Sequence, residues 1–209
     1  MTEKSFQIQP DTTLKSRIKN FYYKNKIKFY STLVTLIILL SALSIYLENK
    51  DKKKFELSES YIKAKIFLEA GNNQTATIML KKIILADDST YSPLSLFLII
   101  EQDLITDEVE LIALFDHLIK RNKFPIEIEN LLILKKSFLL SNSANEAKLL
   151  ETINPLINSD STWRSHALLL LGDYFVYKNE NLKAIDFYQK ILTIKNLHPD
   201  LYNHARNQL

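Results

Sequence analysis

No cysteine occurs among the 209 residues, which excludes a disulfide framework, thiolate metal sites and a cysteine nucleophile. Glycine is nearly absent too. With only Gly71 and Gly172 available, no Walker loop, GxGxxG turn or nucleophile elbow can be assembled. The four histidines, His117, His166, His198 and His204, form no HExxH, and none stands four residues from another, as a helical metal pair requires. His198 and His204 are six apart and fall on different helical faces. Asp87-Asp88 and Asp107-Glu108 are consecutive, so each doublet diverges rather than converging as an acid/base pair; they read as loop and helix-start residues. Serines are numerous, but no Ser–His–Asp arrangement offers itself. No catalytic, metal or cofactor-binding residue, no cofactor and no small-molecule substrate is expected.

Basic excess is also missing from most of the chain. The formal charge of +3 hides an asymmetry: residues 1–28 carry seven Lys/Arg against Glu3 and Asp11. Of the totals of 27 and 24, that leaves 20 basic against 22 acidic residues beyond position 28. No basic stripe with interleaved aromatics occurs there, so nucleic acid is not an expected partner.

What the chain does have is Phe29–Leu47, FYSTLVTLIILLSALSIYL, a run without charge, proline or glycine. As a helix it spans roughly 28 Å, close to the hydrocarbon thickness of a bilayer. Its Leu, Ile, Val and Phe residues each favour insertion by about 0.3–0.6 kcal/mol. Its Ser and Thr hydroxyls can bond to the preceding helical turn. A signal peptide would have a shorter apolar core and a small-x-small site just beyond it. Here the only small-residue pattern, Ala42-Leu43-Ser44, lies inside the run, and Glu48–Lys54 is highly charged. The run reads as a retained transmembrane helix. Lys15, Arg17, Lys19, Lys24, Lys26 and Lys28 precede it, with no acidic residue among them. Lys50, Lys52, Lys53 and Lys54 follow, diluted by Glu48, Asp51 and Glu56. The bias favours a cytoplasmic N-terminal side and an exported C-terminal domain. The expected organisation is a basic cytoplasmic tail over 1–28, a span over 29–47 and a helical domain over 48–209.

Met1–Thr13 is polar and expected to be disordered. Leu14, Ile18, Phe21 and Tyr22 then form a stripe among basic residues, which either lies on an anionic leaflet or only sets topology. Beyond the span the spacings predict helices throughout. Lys50–Ala70 has an apolar face of Leu57, Tyr61, Ala64 and Leu68 and ends at Gly71-Asn72-Asn73. Thr75–Ala86 follows, then a helix capped by Ser92 with Pro93 at its first position. Asp107–Lys120, a helix opened by Phe124-Pro125, and Asn142–Ile153, broken at Asn154-Pro155, come next. Asp160-Ser161-Thr162 caps Trp163–Tyr177, Lys183–Ile194 follows, and Pro199 restarts a short final helix.

These helices fall into about four pairs, and the pairs resemble one another. Leu171-Gly172-x2-Phe175 followed by Ala184-x3-Tyr188-x2-Ile191 fits the tetratricopeptide pattern. Ala64-x2-Phe67 with Gly71 and Ala76-x3-Leu80-x2-Ile83 repeats it, and Leu111-x3-Phe115-x2-Leu118 is a third copy. A fourth starts at Ala147, with Glu151 where an apolar residue is expected. The expected fold class is all-α, a single N-terminal transmembrane helix followed by a TPR-like array and a short terminal helix. Gly172 and Ala184 are expected where the last two paired helices approach most closely.

The whole arrangement resembles the YfgM-like family of tetratricopeptide-repeat inner-membrane proteins, regarded as ancillary subunits of the bacterial Sec translocon. The resemblance is carried by Ile18–Tyr22, Ser60-Tyr61 with Gly71, Tyr91–Leu96, Leu170-Gly172-Asp173 to Ala184, and the closing Arg206–Leu209. It implies a non-enzymatic adaptor in the inner membrane with its C-terminal domain in the periplasm. Its partners would be Sec translocon subunits and a membrane-anchored periplasmic chaperone of the prolyl-isomerase type. A tethered scaffold for another envelope complex, in cell division or wall assembly, is the alternative.

On Trp163–Tyr177, the repeat assigns Leu168, Leu171 and Phe175 to the core. The opposite stripe, His166, Leu169, Asp173, Val176 and Tyr177, mixes aromatic, apolar and charged groups and is the candidate partner-binding surface. The topology has a direct test. Protease added to spheroplasts should digest Asp51–Leu209 while an N-terminal tag stays protected; a mature protein beginning after Leu47, or a protected C-terminal domain, contradicts the retained anchor.

Overall fold

The computed structural model describes residues 12–121, 124–142 and 146–209. Every regular element among them is an α-helix: α1 (Thr12–Glu69), α2 (Asn73–Ile84), α3 (Tyr91–Glu101), α4 (Glu108–Arg121), α5 (Ile126–Asn142), α6 (Glu146–Ile157), α7 (Arg164–Tyr177), α8 (Asn181–Leu192) and α9 (Pro199–Asn207). The contacts divide the chain into two units, one ending at Phe55 and the other running over Glu56–Leu209.

In the first unit, α1 is helical from Thr12, so it includes Thr12 and Thr13 of the expected disordered segment, the rest of which lies outside the described residues. Ile18, Phe21 and Tyr22 are exposed. The Thr32 and Thr35 hydroxyls donate to the carbonyls of Lys28 and Ser31, each at 2.9 Å, so these polar groups are satisfied within the helix. The most apolar 18-residue window has a mean hydropathy of 2.0, and none of it is buried. Among the described residues, this helix is the one long and apolar enough to cross a membrane.

The second unit is a helical array. From α2 onward each helix packs on the next, and α5 on α7 and α7 on α9 also meet as next-but-one neighbours. The 56–69 portion of α1 joins through buried Ala64, with Leu57, Tyr61 and Leu68 packed against the same core. Glycine scarcity leaves a mark on the turns. α1 ends with Gly71 at φ 75°, where Asn72 N–H reaches Phe67 O at 2.8 Å and Gly71 N–H reaches Leu68 O at 2.9 Å. The same pair of bonds closes α3 around Asp103 (φ 48°) and α7 around Asn179 (φ 60°). Asp and Asn are the side chains that best tolerate the left-handed region when glycine is missing.

The even-numbered helices share one burial rule. Ala76, Leu80 and Ile83 are buried on α2, Leu111, Phe115 and Leu118 on α4, Leu149, Ile153 and Leu156 on α6, and Ala184, Tyr188 and Ile191 on α8. Each set follows offsets 0, 4 and 7, one stripe of a helix. The copy expected to start at Ala147 therefore starts at Leu149, because Ala147 is exposed; Glu151 is exposed as well and is not a core position. The steps between first positions, 76 to 111 to 149 to 184, are 35, 38 and 35 residues.

Four helix boundaries also differ from expectation. α6 continues through Pro155 to Ile157 instead of breaking at Asn154-Pro155. Pro155 and Glu151, whose carbonyl loses its partner, both face solvent, so water can satisfy that carbonyl, while burial of Leu156 rewards one more turn. α3 starts at Tyr91 rather than behind a Ser92 cap. Asp88 Oδ1 takes the N–H groups of Thr90 (2.9 Å) and Tyr91 (2.8 Å), which leaves Ser92 Oγ to donate to Ile83 O at 2.7 Å. The Ser161 and Thr162 hydroxyls do not cap α7 but donate to the Glu127 carboxylate on α5, at 2.8 and 2.7 Å. Asn142 closes α5 rather than opening α6.

Two cores result, and α5 serves both. Leu132 belongs to the core built on α1–α4, whereas Leu134 and Leu140 belong to that of α6–α9. Lys136, buried on α5, holds Asp116 of α4 at 2.7 Å. In the last pair, Gly172 and Ala184 are both buried, but the tight contact is between Gly172 and the Tyr188 ring. A Cβ at position 172 would stand 2.5 Å from a Tyr188 ring carbon. That ring cannot readily swing aside, because its hydroxyl donates to Asp173 Oδ1 at 2.6 Å. Gly172→Ala should lower stability by about 1–3 kcal/mol, measured by thermal unfolding in detergent. Gly71→Ala has open space around it and only backbone strain to bear, about 1–2 kcal/mol; an unchanged melting temperature for Gly172→Ala contradicts the packing described.

Candidate interaction surface

Two adjoining hollows lie on either side of the α5 C-terminal half and share Phe138, Ser141 and Asn142 as a common wall. The first, about 350 Å³, lies between Ile100 of α3, Leu111 and Phe115 of α4, and Lys135 and Leu139 of α5. The second, about 450 Å³, is closed by Leu170, Asp173, Tyr174 and Tyr177 of α7. Phe138 stands on the dividing wall with 47 % of its surface exposed, and Tyr177 on the far rim with 80 %. The apolar residues of α5, IEIENLLILKKSFLLSN, are spread around the helix and not confined to one face, so burying Leu132, Leu134 and Leu140 in the two cores leaves Phe138 outside.

The stripe expected on α7 is divided by the structure. Asp173 and Tyr177 line the second hollow together, and Val176 is exposed next to Tyr177. Leu169 is half-buried against the C-terminal core. His166 lies at the other end of α7, in a separate hollow with residues 193–198. Leu168, Leu171 and Phe175 are buried. Asp173 has a structural duty that its position on the stripe conceals: it accepts from the Tyr188 hydroxyl and lies 3.0 Å from His204 Nε2, joining α7, α8 and α9. Burial, reinforced by the hydrogen bond and the charge of Asp173, pushes the Tyr188 hydroxyl above its ordinary pKa, so it stays a donor.

Sequence reasoning missed Phe138, Asn142, Tyr174 and Ile100. The one available signal was the spread of apolar residues around α5, which cannot all be buried at once. Tyr174 is 4 % exposed, its ring faces Lys178 Nζ at 5.5 Å, and its hydroxyl has no hydrogen-bond partner among the described residues. An aromatic wall, a buried hydroxyl without a partner and an exposed amide can hold an apolar side chain and bond the backbone that carries it. Among the described residues, no group of three His, Cys, Asp or Glu could hold a metal ion.

The class of protein defined so far is an all-α helical array whose chain also carries one apolar helix of membrane-spanning length. Compared with known protein families, curated proteins and solved structures, the chain matches none of them.

Because Asp173 is tied into the fold and Tyr177 is not, the two should separate on substitution. Asp173→Lys strands the Tyr188 hydroxyl and should cost about 1–3 kcal/mol, whereas Tyr177→Ala should stay within about 0.5 kcal/mol of the parent. Equal melting temperatures for the two variants would contradict this division.

Proposed function

We propose that the chain is a single-pass membrane-anchored scaffold without catalytic activity, whose array binds proteins through the double hollow lined by α3, α4, α5 and α7. One observation carries the membrane reading. The window of hydropathy 2.0 in α1 has no residue buried by the protein itself, and apolar surface of that extent needs a lipid or protein environment. In this reading the helical pairs form a TPR-like array, supported by the common 0, 4, 7 burial rule and by the next-but-one packing of α5, α7 and α9. Helix pairs stacked in this way present a continuous face, and the exposed aromatics Phe138 and Tyr177 lie on it.

In this reading the basic residues before the span favour a cytoplasmic N-terminal side and an exported array, and the resemblance to the YfgM-like family implies that this array lies in the periplasm of a bacterial cell. Sec translocon subunits and a membrane-anchored chaperone of the prolyl-isomerase type are the proposed partners, on the strength of the resemblance to the YfgM-like family.

Co-purification from solubilised membranes tests the proposal. The tagged chain should recover translocon channel subunits and the chaperone, and Phe138→Ala with Tyr177→Ala should reduce that recovery by about tenfold, as loss of interface aromatics does. Recovery of septal or wall-assembly proteins instead would assign the scaffold to another envelope complex. Recovery unchanged by the double substitution would place the binding face elsewhere.

A further inference from the structure

A third hollow lies at the N-terminal end of α7 and differs in chemistry from the two at its other end. It measures about 620 Å³, is open to solvent, and is lined by residues 160–162, the first turn of α7, the 193–198 connection and Leu201 of α9. The Ser161 and Thr162 hydroxyls donate to Glu127, Ser161 Oγ accepts the Trp163 N–H just ahead of the helix, and α7 begins without a side-chain cap on its first turn and without an acidic residue in it. That turn carries Arg164, Ser165 and His166 instead, and all three line the hollow. Arg164 Nε and His166 Nδ1 are buried and have no hydrogen-bond partner among the described residues. Ser165 is 8 % exposed, and its hydroxyl likewise has no partner among the described residues. Lys195 and His198 stand in the lining from the facing connection.

Neither Arg164 nor Lys195 enters an ion pair among the described residues. Asp160 is the one carboxylate in the lining among the described residues, and it is exposed. Asp200 is engaged with His198, 3.5 Å away. The positive end of a helix, two permanent cations and two imidazoles thus line one hollow whose own carboxylate is Asp160, the nearby Glu127 carboxylate being already hydrogen-bonded by the Ser161 and Thr162 hydroxyls, an arrangement suited to an oxyanion. Burial first, and then the charge of His198, hold the His166 imidazole below its ordinary pKa. Both influences disfavour its cation, and the charge of an anion in the hollow would act against them. The volume falls within the range of ligand pockets, about 300–1,000 Å³, and cations on both walls call for more than one carboxylate.

We propose that this hollow binds the carboxylates of an acidic peptide segment, held by the free amides of the α7 first turn, Arg164, Ser165 and Lys195. The site is distinct from the double hollow and stands whether or not the translocon reading does.

The test uses the whole chain in detergent micelles and fluorescein-labelled hexaglutamate, followed by fluorescence anisotropy. Binding should saturate, weaken with added salt and be absent for hexaglutamine. Arg164→Gln and Lys195→Gln should each weaken it by about tenfold or more, with circular dichroism and melting temperature unchanged. Lys120→Gln, at an exposed cation on α4, should leave it within about twofold. Bound peptide should also raise the NMR titration midpoint of His166, which a general charge effect on the array would not do selectively. Should Arg164→Gln unfold, Lys195→Gln decides alone. Absence of saturable binding, equal weakening by Lys120→Gln, or saturation by inorganic phosphate but not by hexaglutamate would each overturn the proposal.

Discussion

Three apolar side chains at offsets 0, 4 and 7 on each of α2, α4, α6 and α8 carry the packing on which the rest of the array depends. These helices have 12 to 14 residues, a length at which an isolated helix is marginal in water. Their helicity therefore comes from burying that stripe against the neighbours before and after. The first position varies between Ala and Leu, and the second is filled by Leu, Phe, Ile or Tyr. Where the second residue is as large as Tyr188, the facing helix must yield, and it does so by placing Gly172 under the ring. The Tyr188 hydroxyl then needs a partner, which fixes Asp173, and Asp173 in turn draws in His204 of α9. A single large side chain thus determines the identity or the bonding of three residues on two other helices.

Most of the fold was legible because helical periodicity survives in every even-numbered helix. The phase error at α6 shows where that legibility stops. Ala147 and Leu149 are two residues apart and occupy different faces, and spacing points to Ala147, 36 residues beyond Leu111 and 37 before Ala184. Only packing shows that Leu149, Ile153 and Leu156 form the stripe and that the step lengthens to 38 residues there. The helix starts failed for a related reason. Ser92 and Ser161 are good caps by type, but both hydroxyls were claimed by more distant acceptors, Ile83 O and Glu127, that no local pattern reveals.

The interaction surface was less legible than the fold. A stripe on one helix was readable, but a hollow is made by several helices, and its walls at Phe138 and Ile100 come from residues 26 and 64 positions before the start of α7 in sequence. Asp173 could be placed on the right face from spacing alone. Its bonds to Tyr188 and His204 depend on how α8 and α9 return to α7, which periodicity does not encode.

Arrays of stacked helix pairs are ordinarily modular, since each unit touches only its neighbours and can in principle be trimmed from either side. The double allegiance of α5 removes that freedom. Leu132 completes one core and Leu134 and Leu140 the other, so no cut beside α5 leaves both halves closed. Cutting before it opens the core containing Phe115 and Leu118; cutting after it uncovers Leu134 and Leu140. The array is a sequence of repeats by pattern but, at its centre, indivisible by packing.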